Sequence, residues 1–136
     1  DILVRSPKAI RPWQHVIDVI NGYLKLAIYN DQKDEVFNSF NFGPSEDNEI
    51  DVETLTKKFI ANWGSCNSTI KIDSNRHLPE SNILRLDSNK AKNILGWEPS
   101  MDIDKSVKET ALWYENFYLK NEISEFTIEQ IKKYLH

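Results

Sequence analysis

Four short strand-like runs, each isolated between helical stretches, constrain this 136-residue chain more than any other feature. They fall at residues 2–5, 36–42, 69–72 and 83–86. Their residues alternate or are rich in β-branched and aromatic side chains, and turn residues bound them. The order is mixed α/β, yet so few short strands make a poor sheet on their own. The expectation is one domain, or a piece of a larger one, with upstream sequence missing. The opening residues carry the same expectation, because Asp1 runs directly into the apolar Ile2-Leu3-Val4 with no methionine and no leader before it.

Helical periods fill the rest. Pro12 stands where a first-turn proline is tolerated. After it, Val16, Ile20, Tyr23 and Ala27 recur at helical spacing to about residue 30, with Ile17, Leu24 and Ile28 beside them. That pattern predicts a helix with a wide buried face. Gly22 in its middle costs roughly 1 kcal/mol against alanine, which implies close packing against another backbone. Asp51 is placed to cap a helix running to residue 63, which Gly64 stops. Asp87 is placed to cap a short helix over residues 88–95, ended by Gly96. A long helix is expected over 103–119, with Val107, Ala111, Tyr114 and Tyr118 on one face. A last helix is expected over 124–136, where Thr127-Ile128-Glu129-Gln130 has the spacing of a capping box.

Bulk properties exclude several classes. With 17 basic and 21 acidic residues the net charge is −4, which is wrong for a phosphate-tracking nucleic-acid binder or an anionic-membrane binder. Cys66 is the only cysteine, so there is no disulfide framework and no cysteine metal site. No apolar run approaches the roughly 18 residues of a membrane span.

Two local patterns carry chemistry. Arg11 precedes Pro12-Trp13 at a helix start, where a guanidinium fork, backbone N–H groups and the positive helix end suit phosphate oxygens. A plain surface arginine is the alternative. Asn41 lies between Phe40 and Phe42, just before Gly43-Pro44; if the two rings point inward, the amide points the other way and can donate to a phosphate or sugar oxygen. A loop-capping asparagine is the alternative. His15, His77 and His136 are too scattered for a ligand set, and Asp47, Glu49 and Asp51 lack the spacing of a calcium loop. The four tryptophans read as core residues. No glycine-rich dinucleotide turn is present, and no catalytic tyrosine–lysine pair is expected. The residues alone thus describe an anion-gripping α/β unit without catalytic groups.

The string Ile10-Arg11-Pro12-Trp13-Gln14-His15-Val16, with Gly22-Tyr23-Leu24, closely resembles the carboxyl-terminal part of CDP-glucose 4,6-dehydratases. These are extended short-chain dehydrogenase/reductases. The resemblance continues through Phe40-Asn41-Phe42-Gly43-Pro44, Trp63-Gly64, Leu84-Arg85-Leu86-Asp87 and Leu95-Gly96-Trp97-Glu98-Pro99, and ends at Gln130-Ile131 and Tyr134. It covers nearly the whole chain in order. It implies an α/β fold: the mostly helical carboxyl-terminal lobe of a Rossmann-like enzyme, with short strands and without its amino-terminal NAD-binding domain. Residues 1–136 would be the nucleotide-sugar-binding lobe, with the last Rossmann helix and strand at about 13–43.

The resemblance further implies a parent lyase that oxidises C4 of CDP-glucose with NAD. It eliminates water across C5–C6 and returns the hydride to C6. The product, CDP-4-keto-6-deoxy-glucose, would serve bacterial surface polysaccharides such as the lipopolysaccharide O-antigen. The parent would be a cytoplasmic homodimer with a nucleotide-sugar substrate and no nucleic-acid or membrane partner. The catalytic threonine, tyrosine, lysine and carboxylates would lie outside this chain, leaving it inactive alone. Arg11 and Asn41 match positions that contact the nucleotide diphosphate, and Arg5 lies in the segment that passes the nucleotide. The His-Glu-Ala element common in the family aligns with Pro79-Glu80-Ser81, which retains Glu80 but not the histidine; His77 lies two positions earlier. Two other readings stay open: the substrate lobe of another nucleotide-sugar dehydratase or epimerase, and a non-catalytic nucleotide-binding module.

Overall fold

The computed structural model describes residues 1–31, 39–64, 67–73, 81–119 and 122–135. Among the described residues, two strands and five helices run in the order β1 (Ile2–Val4), α1 (Val16–Asp31), a 3-10 turn (Glu46–Asn48), α2 (Val52–Asn62), β2 (Ile70–Ile72), α3 (Asn89–Leu95), α4 (Ile103–Tyr118) and α5 (Ile123–Tyr134). β1 and β2 pair in parallel, with Ile2 opposite Ile70 and Val4 opposite Ile72. Parallel neighbours need a long crossover, and here it contains α1 and α2.

Local signals set most helix ends. Asp51 Oδ1 accepts from Thr54 N at 2.7 Å, and Asp102 Oδ1 accepts from Lys105 N at 2.8 Å, each satisfying a donor left open in a first turn. Asp87 Oδ1 accepts from Asn89 N at 2.9 Å, one residue ahead of the α3 cap position at Ser88. Gly96 closes α3 in the left-handed conformation, φ +60°. A side chain there would be strained.

The core has two centres. Ile17, Met101 and Tyr134 join α1 to α5, with Leu135 packed beside them. Phe42, Ala91 and Trp97 form the second, flanked by Leu26, Phe40 and Leu95. The rings of Phe42 and Trp97 meet edge to face with centroids 5.0 Å apart, a favoured arrangement for aromatic quadrupoles. Gly22 lies directly under the Phe42 ring, so the expected close approach is present, although to a side chain.

Three expectations are corrected. The buried face of α1 is Ile17, Asp18, Asn21 and Gly22; Val16, Ile20, Tyr23 and Ala27 are exposed. Spacing identified an apolar stripe; Tyr23 meets the Phe42 ring edge to face at 5.7 Å, yet the four side chains stay largely open to solvent. Residues 39–42 of the expected 36–42 strand have no ladder, because Gln14 Nε2 donates to Phe42 O at 2.6 Å and Gly43 N donates to Ser88 Oγ at 2.8 Å. The rest of that strand lies outside the described residues. The run at 83–86 makes only a bridge between Ile83 and Ile10.

The Thr127 capping box also fails, since α5 starts at Ile123. Thr127 is inside the helix, donating to Ile123 O and accepting from Trp113 Nε1 at 2.9 Å. Cys66, His77, Glu80 and His136 lie outside the described residues.

Candidate functional site

Residues 10–14 lie where three segments meet. Ile10 bridges Asp51 on one side and Ile83 on the other. Val52 N donates to Ala9 O at 3.0 Å, and Leu84 N donates to Ile10 O at 3.1 Å. Gln14 then holds the chain to Phe42. The segments 39–44 and 86–90 are joined in turn: Lys90 Nζ donates to Ser39 O at 3.0 Å, and Gly43 N to Ser88 Oγ. A Cβ on Gly43 would come within 2.8 Å of Leu86 Cβ, so only glycine lets these segments approach so closely.

Between these segments opens a cleft of about 820 Å³ whose lining includes Arg11, Gly43, Pro44, Glu49 and Arg85. Its far wall is the turn after α3, with Trp97 and Ser100 among the residues facing it. Trp97 is 1% exposed and donates through Nε1 to Asp18 O at 2.9 Å. Asp18, itself fully buried, accepts through Oδ1 from both Ser100 N and Ser100 Oγ. The wall is therefore fixed to α1 by hydrogen bonds, one of them to a main-chain oxygen.

Arg11 is half-buried and lines the cleft, with Nη1 donating to Ile10 O at 2.8 Å. Asn41 is exposed and outside the cleft lining, and its Nδ2 lies 3.4 Å from Asp87 O. Phe42 is buried and Phe40 half-buried, so the alternation expected around Asn41 holds. Arg5 follows β1, is exposed, and stands outside the cleft lining. Of the three expected binding residues, only Arg11 lines the cleft.

The residues that sequence reasoning missed are Arg85 and Glu49. The Glu49 carboxylate accepts from Arg85 Nε at 2.5 Å and from Nη2 at 2.7 Å. This forked pairing holds the Glu49 carboxyl below its ordinary value and raises the Arg85 guanidinium. The signal for Arg85 was available: a lone cation between Leu84 and Leu86 faces away from its apolar neighbours on an extended chain. Nothing in the sequence indicated its partner, 36 residues away.

A second cavity, of about 360 Å³, lies between α2 and α4 and is lined by Trp13, Leu55, Phe59 and Val107 among others. It carries no charged side chain. Of these two cavities, only the first is lined by charged side chains.

Among the described residues nothing forms the glycine cradle of a dinucleotide site. None of the four glycines (Gly22, Gly43, Gly64, Gly96) stands at a turn from a strand into a helix, where a pyrophosphate cradle requires them. One spacing escaped the sequence reading, since Lys33 follows Tyr29 by four residues. Lys33 lies outside the described residues. Tyr29 is half-buried, packs edge to face on Phe40 at 6.4 Å, and is not among the cleft residues. Among the described residues no His, Cys, Asp or Glu side chains cluster as a metal site. No helix among them is long and apolar enough to cross a membrane.

No family model matches the chain. It is 31% identical over 116 residues to the CDP-glucose 4,6-dehydratase of Salmonella typhimurium, covering 84% of this chain and 32% of that enzyme. It is 24% identical over 129 residues to the UDP-glucose 4-epimerase of Mycoplasma pneumoniae, covering 87% of this chain and 34% of the epimerase. Among solved structures, the dTDP-glucose 4,6-dehydratase of Bacillus anthracis in complex with NAD matches with a TM-score of 0.63 at 23% identity. That match covers 91% of this chain and 35% of the dehydratase. The chain spans about a third of the length of the relatives it matches. It carries the fold of the carboxyl-terminal lobe of an extended short-chain dehydrogenase/reductase, and its sequence similarities lie with the nucleotide-sugar dehydratases and epimerases.

Proposed function

We propose that this chain is the nucleotide-sugar-binding lobe of a CDP-glucose 4,6-dehydratase. The observation that carries the proposal is Arg11 in the wall of an open cleft, within a chain 31% identical to such an enzyme. Arg11 binds the diphosphate through its guanidinium fork. The Trp97 wall, tied down by Asp18, shapes the opposite side. Asn41 and Arg5 contact the nucleotide from outside the cleft proper.

NAD and the groups that work on C4, C5 and C6 of the hexose belong to the parent enzyme's other domain. Held by that domain, NAD would supply the hydride chemistry at C4 and C6, and the hexose would lose water across C5–C6. The parent is a cytoplasmic homodimeric lyase making CDP-4-keto-6-deoxy-glucose for surface polysaccharide. This chain's share is to bind and orient the nucleotide sugar, and alone it has no dehydratase activity.

Titration calorimetry with CDP, UDP, dTDP and GDP tests this reading. CDP is expected to bind most tightly, and Arg11→Ala to weaken it by about 1.5–3 kcal/mol, roughly ten- to a hundredfold. Equal or tighter binding of another nucleotide overturns the CDP assignment. Unchanged affinity in Arg11→Ala removes Arg11 from the site. The similarity to a UDP-glucose 4-epimerase favours a second reading, the lobe of an epimerase, and preference for UDP would select it.

A further inference from the structure

The cleft has an unexpected charge balance for an anion site. Its lining contains three cations, Arg11, Arg85 and Lys92, against six carboxylates. Arg85 is engaged by Glu49, and Lys92 by Glu98, both carboxylates of the same cleft. A nucleoside diphosphate entering beside Arg11 would meet a surplus of negative charge.

The Glu49–Arg85 pair stands where it can change that. Ile10, which precedes Arg11, bridges Asp51 on one side and Ile83 on the other. Glu49 is two residues before the first and Arg85 two residues after the second. The ion pair therefore spans the segment that carries Arg11, and all three side chains line one cleft. The Arg85 side chain is 60% exposed and that of Glu49 20%, so the arginine is reached by solvent, which weakens its hold on the carboxylate. Its geometry is forked, with Nε and Nη2 on the two carboxylate oxygens. The same fork fits two phosphate oxygens.

Resting on the reading of the cleft as a nucleoside-diphosphate site, we propose that Arg85 is a second phosphate-binding side chain, kept in place by Glu49 until a ligand arrives. Glu49 acts as an internal competitor: it stands in for the phosphate, and a bound diphosphate displaces it. Arg85 then joins Arg11 on the ligand.

The test is a double-variant cycle on the full 136-residue chain, with inorganic pyrophosphate and CDP as probes. Measurements at about 0.15 M salt screen charges that are not in contact. Glu49→Gln removes the competitor and is expected to tighten both probes about two- to fivefold. Arg85→Ala is expected to weaken both about tenfold or more. In the Glu49→Gln/Arg85→Ala double variant the gain from Glu49→Gln is expected to vanish. Arg85→Lys, which keeps the charge but loses the fork, should recover only part of the affinity. It replaces Arg85→Ala if melting curves show that variant unfolded.

A gain from Glu49→Gln that persists without Arg85 would overturn the proposal, because Glu49 would then act on the ligand directly. So would wild-type affinity in Arg85→Ala. Either result leaves the nucleotide-binding reading standing. Absence of binding by all of these proteins would overturn both.

Discussion

Asp18 holds Trp97 and the turn that follows it: the Trp97 indole N–H donates to Asp18 O at 2.9 Å, and the Asp18 carboxylate accepts from Ser100, three residues beyond Trp97, through both N and Oγ. An acidic residue of α1 thereby fixes the turn that forms one wall of the cleft. Asp18 is fully buried, and its Oδ2 has no hydrogen-bond partner. Asp18→Ala removes both charge-assisted bonds and leaves Ser100 N without its acceptor. It is expected to cost about 1.5–3 kcal/mol of stability. Trp97→Phe keeps a ring against Phe42 but loses the indole N–H that bonds Asp18 O, at about 0.5–1.5 kcal/mol. Urea unfolding midpoints of the two variants check this, and a midpoint for Asp18→Ala equal to wild type would show that the carboxylate does not hold the turn.

Gly22 meets Phe42 more closely than any other residue could. A Cβ built on Gly22 would lie 2.5 Å from Phe42 Cδ1, and the ring cannot retreat because Trp97 packs against it. Helix propensity favours Gly22→Ala by up to about 1 kcal/mol, while overpacking a tight core costs about 1–3 kcal/mol. The clash should win, giving a net loss. Phe42→Leu, destabilising in itself, should make Gly22→Ala less damaging, since the smaller side chain leaves room. Denaturant unfolding of the two singles and the double reads the coupling directly. A stabilising Gly22→Ala would mean the ring shifts freely.

The sequence made local signals legible and distant ones not. Asp51 and Gly96 act within three or four residues of their own position, and the structure uses both as helix punctuation. Gly22 announced a close approach without naming Phe42. The failures share a cause. Residues 39–42 looked like a strand because their side chains alternate, but their backbone is held by Gln14, 28 residues from Phe42, and by Ser88, 45 residues from Gly43. Thr127 looked like a cap because spacing does not reveal that α5 begins four residues earlier. In the cleft, the Pro12-Trp13 pattern places Arg11 at the start of a helix, but α1 begins at Val16, five residues on, and the bridges of Ile10 set where Arg11 lies. The Glu49–Arg85 pair was not legible, because two charges far apart in sequence carry no local mark of each other.

His15 gives the fold a pH dependence near neutrality. The ring is 5% exposed, and Nδ1 accepts from Ile17 N at 3.3 Å, which requires that nitrogen to be unprotonated. Burial pushes its pKa below the ordinary histidine value, and the negative charges of Asp18 and Glu109 only partly oppose this. The unfolded chain therefore takes up a proton more readily than the folded one. Stability is full above about pH 6.5 and declines as the pH falls below it. His15→Asn keeps an acceptor two residues ahead of Ile17 and does not titrate. Between pH 7 and 5 the wild type should lose more stability than His15→Asn, and the other two histidines cancel in that comparison. Parallel pH profiles would exclude His15 as the source.

Glu109 acts at lower pH and through different partners. Its carboxylate accepts from Tyr134 Oη at 2.5 Å, Gln130 Nε2 at 3.0 Å and Lys133 Nζ at 3.1 Å, which joins α4 to three residues of α5. Burial alone would raise its pKa, but the hydrogen bonds from Tyr134, Lys133 and Gln130 outweigh burial and hold it below the ordinary glutamate value. A carboxyl lowered in the folded state stabilises the fold above its unfolded pKa, about 4.3, and loses that contribution as the pH falls through the folded value. Glu109→Gln preserves shape but not charge, and should cost about 1–3 kcal/mol at pH 7. The gap between variant and wild type should narrow steadily below about pH 4.3 as the wild-type carboxyl takes up its proton. Thermal melts of both proteins from pH 7 to 3 measure it. A gap that stays constant over that range would mean that α5 is held by packing of Tyr134 against Ile17 and Met101, with the charge of Glu109 contributing nothing.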